Sequence, residues 1–270
     1  MAQNDKKSLS LHEIQQLELE VMKDFHSWCE QHNLRYALTY GTLIGAVRHQ
    51  GFIPWDNDMD IMMPRPDFEK MLKICETDPV SPTVKILHYS KDEKYHYQVA
   101  RACSTKATVV LPYLNEQPDN LGVWVDIFPL DGVPGNPDEV QNQLSLASKF
   151  YKLMLKVDLY SSKEVPVRGF ITSVIRFFIP NKNNRHMRKI DQYAMLFDFD
   201  NSEYVADMIE PKPIPLPRDD FNNLQLAKYE DTEFYIPPHW DEYLSKAYGD
   251  YMKLPPEGQR EVHGIQAFWN

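Results

Sequence analysis

Gly41-Thr42-Leu43-Ile44-Gly45-Ala46-Val47-Arg48-His49-Gln50-Gly51-Phe52-Ile53-Pro54-Trp55-Asp56-Asn57-Asp58-Met59-Asp60-Ile61-Met62-Met63 decides how this chain is read. A glycine turn and a short basic helix precede three acids at alternate positions. Period-two geometry puts Asp58 and Asp60 on one face of a strand, and Met59, Ile61 and Met63 on the other. Like charges this close raise each other's pKa unless a cation neutralises them. A divalent metal holding a phosphate is the economical explanation. Oxygen-only ligands suit Mg²⁺ or Mn²⁺.

Working outward, Gly122 to Phe128 is the clearest other strand, with Asp126 among apolar neighbours where an unpaired carboxylate is costly. If that strand lies beside the first, Asp58, Asp60 and Asp126 converge on one metal-binding point. Asp56 follows Pro54-Trp55 in a loop, so a turn role is as good a reading as direct ligation. Gly41 and Thr42 supply the anion half: glycine lets the backbone approach a ligand, and Thr42 is placed to cap the helix that follows. Arg48 lies further along that helix as a charge-assisted donor to phosphate. His49 reads equally as a phosphate contact or an ordinary helix-end histidine. Arg101, on an expected strand, either reaches the site or forms a structural ion pair. A second Asp-x-Asp, Asp198-Phe199-Asp200, reads as a solvated surface pair.

The remaining pattern frames this centre. Leu11, Ile14, Leu17, Val21, Phe25 and Trp28 recur at helical spacing, predicting an amphipathic helix over 10–32 with Ser10 and Glu13 as its capping box. Strands are expected at 35–40, 58–63, 83–89, 97–103, 107–111 and 122–128, with a helix at 67–77. Beyond Pro137 the pattern turns helical, through about 160, at 167–178, at 183–197 and at 238–252, after a proline-rich link at 211–217. The expected class is α/β (α+β): a mixed sheet in the first half with helices packed on and after it.

Composition narrows the function classes. The chain has 270 residues and a net charge of −10, which argues against general nucleic-acid binding. Cys29, Cys75 and Cys103 lie far apart and fit reduced thiols in a cytoplasmic protein. The opening residues lack a signal-peptide core, and no apolar run approaches the ~20 residues of a membrane span. From 163 to 189 there are seven basic residues and one acid, interleaved with Phe170, Ile171, Val174, Ile175, Phe177 and Phe178. That asymmetry reads as a helix lying on an anionic bilayer, or as a core helix with a basic rim.

The stretch from Tyr40 to Ile61 resembles the signature of the LicD family, phosphocholine transferases within the nucleotidyltransferase-fold superfamily. Met63 to Glu69, Val125 to Gly132, and Tyr243 to Met252 with Pro255-Pro256 add to the likeness. Asn57 departs from the family's usual Asp but falls on the strand face opposite the expected ligands. The resemblance implies a nucleotidyltransferase-like core over 1–135, with a mainly helical extension over 136–270 completing the same domain. It implies transfer of phosphocholine from CDP-choline to a sugar hydroxyl of a glycan precursor of teichoic acid or lipopolysaccharide type, with CMP leaving. The acceptor is then expected to be lipid-linked, at the inner face of the cell membrane. A trimethylammonium head calls for aromatic faces, and Trp55 and Trp124 lie nearest the acids in sequence. Rival readings keep the fold with CDP-glycerol or CDP-ribitol as donor, or make the chain a metal-dependent glycosyltransferase.

Overall fold

The computed structural model describes residues 7–111, 117–133, 184–210, 213–256, 258, 260 and 265–270. Helix α1, Leu11–His32, opens with the expected capping box: Ser10 Oγ accepts the Glu13 N–H while the Glu13 carboxylate accepts the Ser10 N–H. It stops at Asn33, whose φ of 51° is the left-handed conformation that ends helices. The stripe Ile14, Leu17, Val21, Phe25 and Trp28 is buried, and the helix packs on the strands that carry Arg101 and Asp126.

Those strands belong to one mixed sheet. Its members are β1 (Ala37–Leu38), β2 (Met59–Pro64), β3 (Val84–Leu87), β4 (Ala100–Ser104) and, after the separate β5 (Ala107–Val110), β6 (Trp124–Val133). The order across the sheet is β1-β2-β6-β4-β3, and among the described residues β2 with β6 is its one parallel pairing. Helix α2, Tyr40–Ile44, continues into a wider π-helical turn, Gly45–His49, and connects β1 to the loop before β2. A Cβ on Gly45 would lie 2.5 Å from the Gly51 carbonyl oxygen, so this turn needs a residue without one. Pro64 ends β2 and Pro66 sits in the first turn of α3, Arg65–Ile74, where a missing N–H does no harm.

The second half contributes α4 (Arg185–Ala194) and α5 (Trp240–Tyr248), close to the expected helices. It also adds strands that the periodicity did not announce. β7 (Tyr204–Ala206) pairs with the far end of β6, and β8 (Leu216–Pro217) pairs with β7. β9 (Gln225–Tyr229) and β10 (Thr232–Ile236) form a hairpin, and β11 (Gln266–Trp269) pairs with β5. β7 and β8, three and two residues long, are too short to show alternation and are set by the strand each one meets. The helices expected at 137–160 and 167–178, and most of the basic stretch 163–189, lie outside the described residues. Among the described residues no helix is long and apolar enough to cross a membrane.

A buried ionic knot joins the layers. The Arg65 guanidinium grips both oxygens of Asp131 at 2.7 Å and meets Asp191 Oδ1 at 3.0 Å, linking α3, β6 and α4. Cys29, Cys75 and Cys103 are free thiols.

Candidate active site

Asp60 and Asp126 are direct partners in the parallel β2–β6 register, and Arg101 on β4 is the antiparallel partner of Asp126. Partners in register point to the same face, with neighbouring strands about 4.8 Å apart. The three side chains therefore form one row across three strands. Asp58, two residues before Asp60, extends the row along the chain, while Met59, Ile61 and Met63 are fully buried on the other face. Arg101 Nε donates to Asp126 Oδ1 and Trp124 Nε1 donates to Asp126 Oδ2, each at 2.8 Å. The Arg101 guanidinium lies over the Trp124 ring at 4.0 Å and the Tyr97 ring at 4.7 Å. This clamp makes a carboxylate in mid-sheet tolerable and fixes its orientation.

A further acid arrives from α1. Glu18 is 2% exposed, and its Oε2 has no hydrogen-bond partner. Burial first, and then the charges of Asp58, Asp56, Asp60 and Asp126, push its carboxyl well above the usual range. Asp60 is raised by burial and by Asp58, Asp126 and Asp56, with Arg101 opposing. Asp56 is pushed up to about 8 by burial, by the charge of Asp58 and by their shared hydrogen bond. Gln15 Nε2 donates to the Asp56 carbonyl at 2.7 Å, tying the acidic loop to α1. Sequence reading passed over Glu18. Its signal was a charged residue inside the apolar stripe, four positions after Ile14 and three before Val21.

The anion half is arranged differently from expectation. Thr42 lies inside α2 rather than at its cap, and its buried Oγ1 accepts the Asp60 N–H at 2.8 Å. It therefore braces β2. A Cβ on Gly41 would stand 3.0 Å from Asp56 Oδ2, so this glycine admits the acidic loop to close range. Arg48 bonds the Tyr251 carbonyl and the His49 ring, and forms no ion pair with the acids among the described residues. Burial lowers the pKa of both Arg48 and His49. Trp124 is committed to Asp126, and Trp55 lies under the Arg260 guanidinium at 4.4 Å. Asp198 is exposed and caps a turn through the Asn201 N–H, as expected of a surface pair.

Among the described residues no three acidic, histidine or cysteine groups close on one point as a finished ligand shell. What is present suits a hard cation nonetheless. The available donors are carboxylate oxygens, Glu18 Oε2 is orphaned, and Arg101 is the cation that opposes the raised pKa of Asp60.

Residues 33–152, which hold Asp56, Asp58, Asp60, Arg101 and Asp126, match the family model described as LicD/FKTN/FKRP, nucleotidyltransferase domain. The chain is 27% identical over 275 residues to the lipopolysaccharide cholinephosphotransferase LicD of Haemophilus influenzae, covering 96% of this chain and 98% of that protein. An uncharacterised protein of Rickettsia typhi is 30% identical over 131 residues, 47% of this chain and 36% of its own length. Another, from Rickettsia prowazekii, is 48% identical over 56 residues, 21% of this chain and 18% of its own. The domain match spans the acid row and the Haemophilus likeness runs almost end to end, so over residues 33–152 this chain is similar to the LicD nucleotidyltransferase domain.

Proposed function

We propose that the chain transfers phosphocholine from CDP-choline to a sugar hydroxyl of a cell-surface glycan precursor of lipopolysaccharide or teichoic-acid type and releases CMP. The observation that carries this reading is the Asp60–Asp126–Arg101 row, in register across three strands, in a chain similar along its length to a cholinephosphotransferase. The acceptor oxygen forms a new bond to the phosphorus that bears choline. The pyrophosphate P–O bond breaks, the electron pair leaves with CMP, and the hydroxyl proton passes to solvent water.

Chemistry of this kind is mostly positioning and charge neutralisation. Asp58, Asp60 and Asp126 would hold Mg²⁺ or Mn²⁺, with Asp56 and Glu18 adding negative charge around them. Bound there, the cation would neutralise pyrophosphate charge and ease loss of the acceptor proton. Arg101 and Trp124 keep Asp126 aimed at the row, and Thr42 fixes the backbone under Asp60. We place the reaction in the cytoplasm, with a lipid-linked acceptor at the inner face of the membrane.

The test is CMP release by the purified protein with Mg²⁺ and a panel of CDP-choline, CDP-glycerol and CDP-ribitol. CDP-choline should be preferred, and Asp58→Ala and Asp60→Ala should each lose at least about 10³-fold in kcat. Folded variants that keep full activity would refute the assignment of the acids. A preference for CDP-ribitol would move the donor.

A further inference from the structure

Beyond the acids, β2 and β6 continue on the same face with Met62 and Phe128, each one strand repeat, about 7 Å, past Asp60 and Asp126. A cavity of about 370 Å³ opens there. Aromatic rings of Tyr40, Phe128, Tyr243 and Tyr248 line it, together with the carboxyls of Asp207 and Glu210. Its cationic lining residue, Lys246, has its ammonium on Glu242 at 2.7 Å, with both side chains more than half exposed.

The cavity is built. Tyr40 has a φ of 47°, a left-handed conformation that bulky residues avoid. Its hydroxyl donates to Asp207 Oδ2 at 2.9 Å, and its ring meets Phe128 edge-on, with centroids 5.1 Å apart. The Tyr243 and Thr39 hydroxyls bond each other at 2.8 Å, while the Thr39 N–H donates to the Asp60 carbonyl at 3.1 Å. The wall of the cavity and the acid row thus share a backbone contact. The charge of Asp60 reaches both Tyr243 and Tyr248.

We propose that this cavity is the subsite for a quaternary ammonium group, the trimethylammonium head of a phosphocholine whose phosphorus lies at the acid row. The assignment rests on the transfer reaction proposed above and names where its donor is recognised. A trimethylammonium ion donates no hydrogen bond and is held by ring faces and negative charge. The cavity offers both. Its Tyr40 and Tyr243 hydroxyls are already engaged, and Asp207 Oδ1 already accepts the Ile209 N–H. A glycerol or ribitol chain carries no positive charge for these rings and carboxyls to meet. The two-carbon spacer of phosphocholine suits one strand repeat between phosphorus and nitrogen.

Steady-state kinetics with CDP-choline and Mg²⁺ test this. Tyr248→Ala, at a half-exposed ring, should raise KM roughly 5- to 30-fold and change kcat little. Tyr248→Phe should stay within about 2-fold, because the ring face is retained. Asp207→Asn should raise KM as well. Free choline and tetramethylammonium should compete with CDP-choline in the wild type and lose potency in Tyr248→Ala. If the wild type turns over CDP-choline while Tyr248→Ala and Asp207→Asn leave KM and choline competition unchanged, the subsite is elsewhere and the transfer reaction stands. If the wild type releases no CMP from CDP-choline, the transfer reaction falls. Calorimetric titration with tetramethylammonium then decides the cavity alone, and absence of binding overturns it.

Discussion

Asp60 is a carboxylate kept where its charge is least stable. It is nearly buried, raised by three neighbouring acids, and opposed by Arg101. Asp60→Asn keeps the shape and removes the charge, so the metal-free protein should gain about 1–3 kcal/mol while transfer is lost. Thermal melts in chelator beside CMP-release assays check both halves, and a variant that melts below the wild type contradicts the strain. Asp207 makes a second prediction, about pH. Burial lifts its carboxyl from 3.8 to about 7, against the Ile209 N–H and the Tyr40 hydroxyl, with Glu210 and the Arg65-paired Asp131 adding to the rise. Its folded pKa lies above the unfolded one, so between about 4 and 7 the native state binds the extra proton. Stability from this group therefore falls as pH rises through that window. A bound cation reverses the preference by favouring the carboxylate. KM for CDP-choline should fall as pH rises from about 6 to 8, and the slope should flatten in Asp207→Asn.

Between the elements, the Arg65 knot carries the most concentrated interaction. Arg65→Met leaves Asp131 and Asp191 facing each other in the interior, 1% and 5% exposed at their side chains. The expected loss is about 3–5 kcal/mol in urea denaturation. A loss below about 1 kcal/mol would mean that α4 is held by its apolar face alone. None of this knot was legible in the chain, because Arg65, Asp131 and Asp191 are brought together by tertiary packing. Helix α1 was legible, since its stripe and capping box are local patterns. So were β2 and Asp60 on it, since alternation alone chooses its face, while Asp58 lies just before the strand. That β2 and β6 are neighbours was a conditional reading, and their register is what aligns Asp60 with Asp126. The cavity was out of reach: Tyr40 and Asp207 meet across 167 positions, and β7 has no pattern until β6 is beside it. The widened turn Gly45–His49 was also hidden, because it depends on the approach of Gly51.

For the molecule as a whole, the acid row couples metal, protons and stability. Carboxyls from α1, the loop before β2, β2 and β6 meet under one helix, within a chain that carries −10 overall. A cation that binds the native state and not the unfolded chain adds RT ln(1 + [L]/Kd), about 2.7 kcal/mol at a hundredfold excess over Kd. Mg²⁺ or Mn²⁺ should therefore raise the melting temperature with a logarithmic dependence on concentration. Binding should also expel protons at neutral pH, because Asp56 is held near 8 and Glu18 and Asp60 are raised as well. Calorimetry in buffers of different ionisation enthalpy counts those protons, and apparent affinity should increase as pH rises through about 8. Glu18→Gln separates the acid on α1 from those on the sheet. It should weaken Mn²⁺ binding by about tenfold and raise the melting point of the metal-free protein, leaving Asp126 clamped by Arg101 and Trp124. If neither ion shifts the melting point nor releases protons, the acids are not a cation site, and the row must act through its own protonated carboxyls.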